Sequence, residues 1–400
     1  MQKVVLDNGL KVIFEKKKGT SVVVELMVKV GSNDENSNEK GISHIIEHLL
    51  FEGTKKRPTN RKISNEIEKI GGEFNAYTTH ERTCFYVKVL KKHFSIAIDV
   101  LSDILNNSLI LEKTITKEKK IIMKEIDMVI DDPRYYQWTL FQKTLFDKHP
   151  TKWPAYGDKK IVKSFERKKI MEYFKKYYVP NNMVISVVGD VNNWKSEIKN
   201  NFQAKKAKSI KKKIVKEPKQ TKNKKKVEKK SIASTYAVLG YKTIPRSHSD
   251  SYVLEVIDAI LGRGQSGLIF NEIRSKKGLA YDVGTESVSE KSYGYFAIYV
   301  GLDKKNLSQA KKIILQEIEK LKEVKNEDLK EAKDYIEGDY LLSLEDSQKL
   351  ADQLLFWEQC KDAKVMREFI RNIKKVTTKD IKRVVNKYFK YHTLAVVEKK

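Results

Sequence analysis

Two of the chain's seven histidines stand four residues apart in His44-Ile45-Ile46-Glu47-His48. Ile42, Ile45, Ile46, Leu49 and Leu50 recur at helical spacing through this stretch and Gly53 offers a stop, so it reads as an amphipathic helix with one face to bury. On a helix, positions i and i+4 share a face, so both imidazoles can reach one point, and Glu47 projects beside them. Two histidines and a carboxylate within one turn make a donor set for a divalent metal; the other reading of the same residues is a pair of surface histidines. A catalytic zinc site uses three protein ligands and keeps its fourth position for water, so a further ligand must come from elsewhere. Glu118 and Glu125 are two helical turns apart and fall on one face of a helix read from Lys117 to Val129. On so basic a helix, the alternative is that they pair with Lys119, Lys120 and Lys124.

The 400 residues suggest two or three domains, and 40% apolar content is enough to give each a core. Lys and Arg together number 80 against 53 Asp and Glu, a net charge of +27, yet only eleven of the cations are Arg. That balance describes a solvated lysine coat and argues against Arg-based nucleic-acid recognition. Fourteen lysines crowd into residues 203–230 against Glu217 and Glu228, which marks an exposed connector. The division predicted is therefore 1–202, a connector at 203–230, and 231–400. Asn8-Gly9 signals a hairpin, strands are expected near 21–30, 74–79, 83–90 and 183–188, and helices near 64–70 and 94–105. Strands and helices mix without a βαβ rhythm, which indicates an α+β fold. Glu81 and Arg82 before one strand, and Glu290 and Lys291 before another, hint at a duplicated domain. Cys84 and Cys360 are the only cysteines, and no apolar run reaches the roughly 18 residues of a membrane span. A cytoplasmic chain without a membrane anchor is expected.

His-x-x-Glu-His followed by Glu118 and Glu125 resembles the inverzincin metallopeptidases of the pitrilysin, insulin-degrading enzyme and mitochondrial processing peptidase family. Leu6-Asp7-Asn8-Gly9-Leu10, Gly71-Gly72-Glu73-Phe74-Asn75-Ala76 and Tyr178-Val179-Pro180-Asn181-Asn182-Met183 resemble family segments, as do Leu268-Ile269-Phe270-Asn271-Glu272-Ile273-Arg274 and Gly278-Leu279-Ala280-Tyr281 in the second half. The resemblance implies two homologous α+β domains, each a mostly antiparallel sheet with helices on one face, together half of a clamshell. It implies one zinc per chain on His44, His48 and Glu125, with Glu47 as general base and Glu118 supporting the site. Asn75, Ala76 and Tyr77 would form a substrate-binding edge strand, and Arg274 with Tyr281 would hold the substrate carbonyl. The implied activity is a zinc endopeptidase acting on enclosed peptides, as a homodimer in which Arg274 and Tyr281 act across the interface. A noncatalytic, partner-dependent subunit of the same fold is the alternative.

Overall fold

Asn8-Gly9 turns the chain between β1 (Gln2–Val5) and β2 (Lys11–Glu15), which pair antiparallel. Gly9 takes φ 84°, and Asn8 Oδ1 accepts from Leu10 N at 3.1 Å, the local bonding that suits both residues to a tight turn. The computed structural model describes residues 1–210, 212 and 215–400; Lys211, Lys213 and Ile214 of the Lys-rich block lie outside the described residues.

β3 (Ser21–Val28), β4 (Glu73–Thr78), β5 (Thr83–Leu90) and β6 (Met183–Gly189) complete a six-stranded sheet in the order β1-β2-β6-β3-β5-β4. A second sheet holds β7 (Lys224–Lys230), β8 (Thr235–Lys242), β9 (Ala280–Ser289), β10 (Gly294–Leu302) and β11 (Thr393–Lys399), in the order β7-β11-β8-β10-β9. Without β1, the two sheets match strand for strand. Each begins with a parallel pair, β2–β6 or β7–β11, and continues through antiparallel neighbours. After β5 come a 3₁₀ turn and the helices Phe94–Asn106 and Glu112–Asp131; after β10 come a 3₁₀ turn and the helices Leu307–Lys320 and Asn326–Ser343. The two domains thus repeat one α+β topology.

The compact units are discontinuous in sequence. One comprises Met1–Asp127, Trp153–Ile214 and Ser343–Met366, and the other Met128–Lys152, Val215–Leu342 and Arg367–Lys400. Boundaries at 202 and 231 cannot describe this, because each half of the chain lends a helix to the other half's sheet. The helix Ser347–Cys360 packs on β3 and β6 in the first unit, and the helix Pro133–Leu145 packs on β8 and β11 in the second. The block read as a connector over 203–230 ends in a strand, since Lys224–Lys230 is β7. As an edge strand with mostly solvated side chains it tolerates lysine, which also discourages edge-to-edge pairing. The helix read from Lys117 begins earlier, at Glu112.

In the second unit Leu140, Phe141 and Leu145 are buried against Val238, Tyr295, Ala297, Ala395 and Val397. A Cβ on Gly240 would lie 2.5 Å from Phe141 Cζ, so the ring rests directly on the β8 backbone. Phe141→Ala should therefore cost about 3–5 kcal/mol, read as a lower denaturant midpoint of the second unit.

Candidate metal centre

The helix Ile42–Leu50 buries Ile42, Ile45, Ile46, Leu49 and Leu50, which leaves His44, Glu47 and His48 half-buried. Its first turn is fixed from outside. Glu35 is buried and its carboxylate accepts from Gly41 N and Ser43 N, each at 2.9 Å, serving the orphan donors of the helix start. Burial nevertheless outweighs these bonds and holds the Glu35 carboxyl up at about 7. Ser43 Oγ lies 3.1 Å from Tyr173 Oη on the helix Arg167–Tyr177. Gly41 has φ 98°, and a Cβ on Gly157 would come within 2.4 Å of Gly41 Cα, so the two backbones meet where only glycine fits.

His44 Nε2 and His48 Nε2 are 3.3 Å apart, and Glu125 Oε2 lies 3.7 Å from the first and 3.6 Å from the second. Within the described residues these three side chains form a cluster of metal-ligand donors. Two imidazole nitrogens aimed at one point repel unless something positive lies between them, and the carboxylate supplies the balancing charge. His48 Nδ1 sits 3.0 Å from the buried Glu118 Oε2, an arrangement in which Nδ1–H donates to the carboxylate and Nε2 keeps its lone pair for a metal. The donor set fits a divalent ion of the zinc type.

The electrostatics of the four groups differ. Burial, helped by the charge of His48, lowers His44 to about 4, so it is neutral at physiological pH as a ligand must be. Burial opposes charging of His48 as well, but the bond to Glu118 and the charges of Glu125 and Glu47 win and raise its pKa. Glu118 is held below the usual carboxylate range, because its bonds to His48 and Lys117 outweigh burial. Glu47 is raised by burial, with Glu125 adding to the effect and with Thr78 and His48 opposing it. Thr78 Oγ1 donates to Glu47 Oε2 at 2.5 Å and so orients the carboxylate beside the histidines.

His44, Glu47, His48, Glu118 and Glu125 thus come together. Thr78 as partner of Glu47 and Glu35 as cap of the motif helix were not found by sequence reasoning; Thr78 directly follows the named edge-strand residues, whereas Glu35 belongs to no recognisable pattern. Asn75, Ala76 and Tyr77 lie on β4, the outermost strand of its sheet, whose free edge can accept an added strand. Tyr77 turns its side chain to the face opposite Glu47 and reaches Glu25 and Asp352. In the second unit, Arg274 is exposed with its guanidinium 5.1 Å from the centre of the Phe270 ring, and Tyr281 is exposed at the start of β9.

The family model for insulinase, peptidase family M16, matches residues 11–158, and that for the M16 inactive domain matches 164–336. An uncharacterized zinc protease of Bacillus subtilis, YmxG, is 31% identical over 84% of this chain and 83% of its own. One from Rickettsia felis is 31% identical over 98% and 96% of the two chains. The crystal structure of a protease from Helicobacter pylori superposes with a TM-score of 0.95 at 25% identity over 99% of both chains. A Pseudomonas fluorescens structure described as an M16 inactive domain shares the fold, with a TM-score of 0.88 at 18% identity.

Two outcomes follow from the geometry. Removing the Glu118 carboxylate in Glu118→Ala should weaken metal affinity by about 10–100-fold in competition with a chelator. Glu35 has a folded-state pKa above its ordinary value, so its contribution to stability is full below about 4.5 and is lost as the pH rises through about 7. Urea midpoints measured from about pH 5 to about pH 8 should therefore shift in favour of Glu35→Gln relative to the native chain.

Proposed function

The chain belongs to peptidase family M16, and from that premise we propose that it is a zinc-dependent endopeptidase with Glu47 as general base. The observation that carries the reading is the convergence of His44, His48 and Glu125 beside the Glu47 carboxylate, which Thr78 orients. Relatives whose names describe zinc proteases support the metal and the reaction class.

His44 Nε2, His48 Nε2 and a Glu125 oxygen would hold the ion. Bound zinc supplies Lewis acidity, which polarises a scissile carbonyl and acidifies water. Glu47 takes the proton from the attacking water and returns it to the leaving amine; its raised pKa brings it closer to the operating pH, where a group can do both. Thr78 keeps the Glu47 carboxylate aimed and Glu118 fixes the tautomer of His48. A peptide adding to the free edge of β4 through main-chain hydrogen bonds would be read by backbone more than by side chain. Arg274 and Tyr281 would hold the substrate carbonyl, acting in a homodimer on the metal centre of the partner chain. Two cysteines in the whole sequence support placing the chain in the reducing cytoplasm.

Glu47→Gln should retain its metal and lose about 10²–10⁴-fold in kcat, assayed by mass spectrometry on a mixed peptide library. Native chain and variant that both bind metal and both leave the library intact would favour the noncatalytic, partner-dependent subunit. Mixing Glu47→Gln chains with Arg274→Ala chains should restore activity that neither has alone, because one site of each mixed dimer is then complete; no recovery would count against the shared site.

A further inference from the structure

The other face of the first sheet carries a polar group in its core that peptide hydrolysis does not use. Cys84 pairs with Met27 across β3–β5 and with Tyr77 across β4–β5, and Glu25 pairs with Tyr86, so Glu25, Cys84 and Tyr77 share one face. The helix Ser347–Cys360 covers that face and places Asp352 there. One donor atom from each of Glu25, Cys84 and Asp352 lies within 4.8 Å of the others. Glu25 and Cys84 are both 0% exposed.

Two observations independent of the clustering point to a missing positive partner. Among the described residues, Glu25 Oε2 has no hydrogen-bond partner and Oε1 reaches only Tyr77 Oη at 3.4 Å, a hydroxyl that also contacts Asp352. Ser186, directly opposite Glu25 on β6 and equally buried, has an unpartnered Oγ. A buried carboxylate left in this state is costly, and burial with the charge of Asp352 accordingly pushes Glu25 well above its ordinary range. Burial and the charge of Glu25 do the same to the Cys84 thiol. Arg82, its guanidinium 5.3 Å from the centre of the Phe356 ring, is the one cation among the described residues that acts on both groups. When both carboxylates and the thiol are ionised, as ligation requires, one arginine beside them leaves two negative charges, the charge that a divalent cation cancels. Asp352 also lines an open groove of about 440 Å³ with Tyr77, Arg82 and Gln348, so one member of the cluster borders solvent.

We propose that Glu25, Cys84 and Asp352 bind a second divalent transition-metal ion, which clamps the helix Ser347–Cys360 to the sheet of the first unit. A thiolate among the ligands selects a borderline-soft ion such as zinc over magnesium or calcium. The role is structural: the ion joins two strands to a helix more than 260 residues further along the chain.

Sulfur distinguishes this site from the His44–His48–Glu125 centre, which has none. The full chain is stripped with a chelator and titrated with Co²⁺. The native protein should develop thiolate-to-cobalt charge-transfer absorption in the near ultraviolet, and so should His44→Gln/His48→Gln. Cys84→Ser should abolish the band, and Glu25→Gln should weaken the affinity that it reports by at least about tenfold. No band in the native chain, or a band that survives Cys84→Ser, overturns the proposal. Because Cys84 lies in the core and its replacement can impair folding, zinc content supplies a second readout. Two ions per native chain falling to one in Glu25→Gln supports the site, and a single ion per native chain overturns it.

Discussion

The bond between His48 Nδ1 and Glu118 Oε2 ties together two helices that reach the site from separate stretches of the chain. Without it, His48 has no fixed tautomer and Glu125, seven residues further along the same helix as Glu118, has no set distance from the imidazoles. A displacement of an ångström at either helix would separate donors that now lie within 4 Å of one another. The rest of the first unit can be read as support for this bond. Glu35 and the Gly41–Gly157 approach hold the start of the motif helix, and Lys117, 3.2 Å from Glu118 Oε1, helps to keep that carboxylate ionised. The expense is evident at Glu35, whose carboxylate accepts two hydrogen bonds from the helix start and is still disfavoured as an anion by its burial.

Each unit also depends on chain from the other half of the sequence. Ser347–Cys360 closes one face of the first sheet, and Pro133–Leu145 supplies Phe141 and its neighbours to the core of the second. Neither sheet could bury its strands with contiguous sequence alone, so a cut within the linear halves would expose apolar surface in both units. This makes the duplicated topology a pair of interdependent folds.

What could be read from the sequence follows from where the signals are local. The motif helix, the Asn8-Gly9 hairpin and strand β5 were legible because periodicity and turn chemistry act over a few residues. The clustering of His44, His48 and Glu125, with Glu118 behind them, was legible because helical spacing places Glu118 and Glu125 on one face and the family resemblance joined them to the histidines. β7 was missed because edge position, which no window of residues reveals, is what makes seven residues with five lysines acceptable as a strand. The exchanged helices were missed for a similar reason, since an amphipathic face does not state which sheet will cover it. Glu35 and Thr78 act through single contacts to residues 6, 8 and 31 positions away, spacings that carry no periodic signature.

The β4–β5 hairpin has a more exacting task than either of its faces suggests. Thr78 and Thr83 are paired and look toward the motif helix, where Thr78 bonds Glu47. Their neighbours Tyr77 and Cys84 are also paired and look the opposite way, toward Glu25 and Asp352. Because the side-chain period of a strand is two, slipping one strand by a residue would send a threonine into the acidic cluster and a tyrosine or cysteine toward Glu47. Edge strands are usually weakly specified in register, yet here an error would disturb polar chemistry on both sides at once. The aromatic contacts of Phe51 with Phe74 and Phe85, at 4.4 and 6.0 Å between ring centres, lie on the motif-helix face and favour the register that keeps both sets of groups apart. Apolar packing on one face thereby sets the polar arrangement on both.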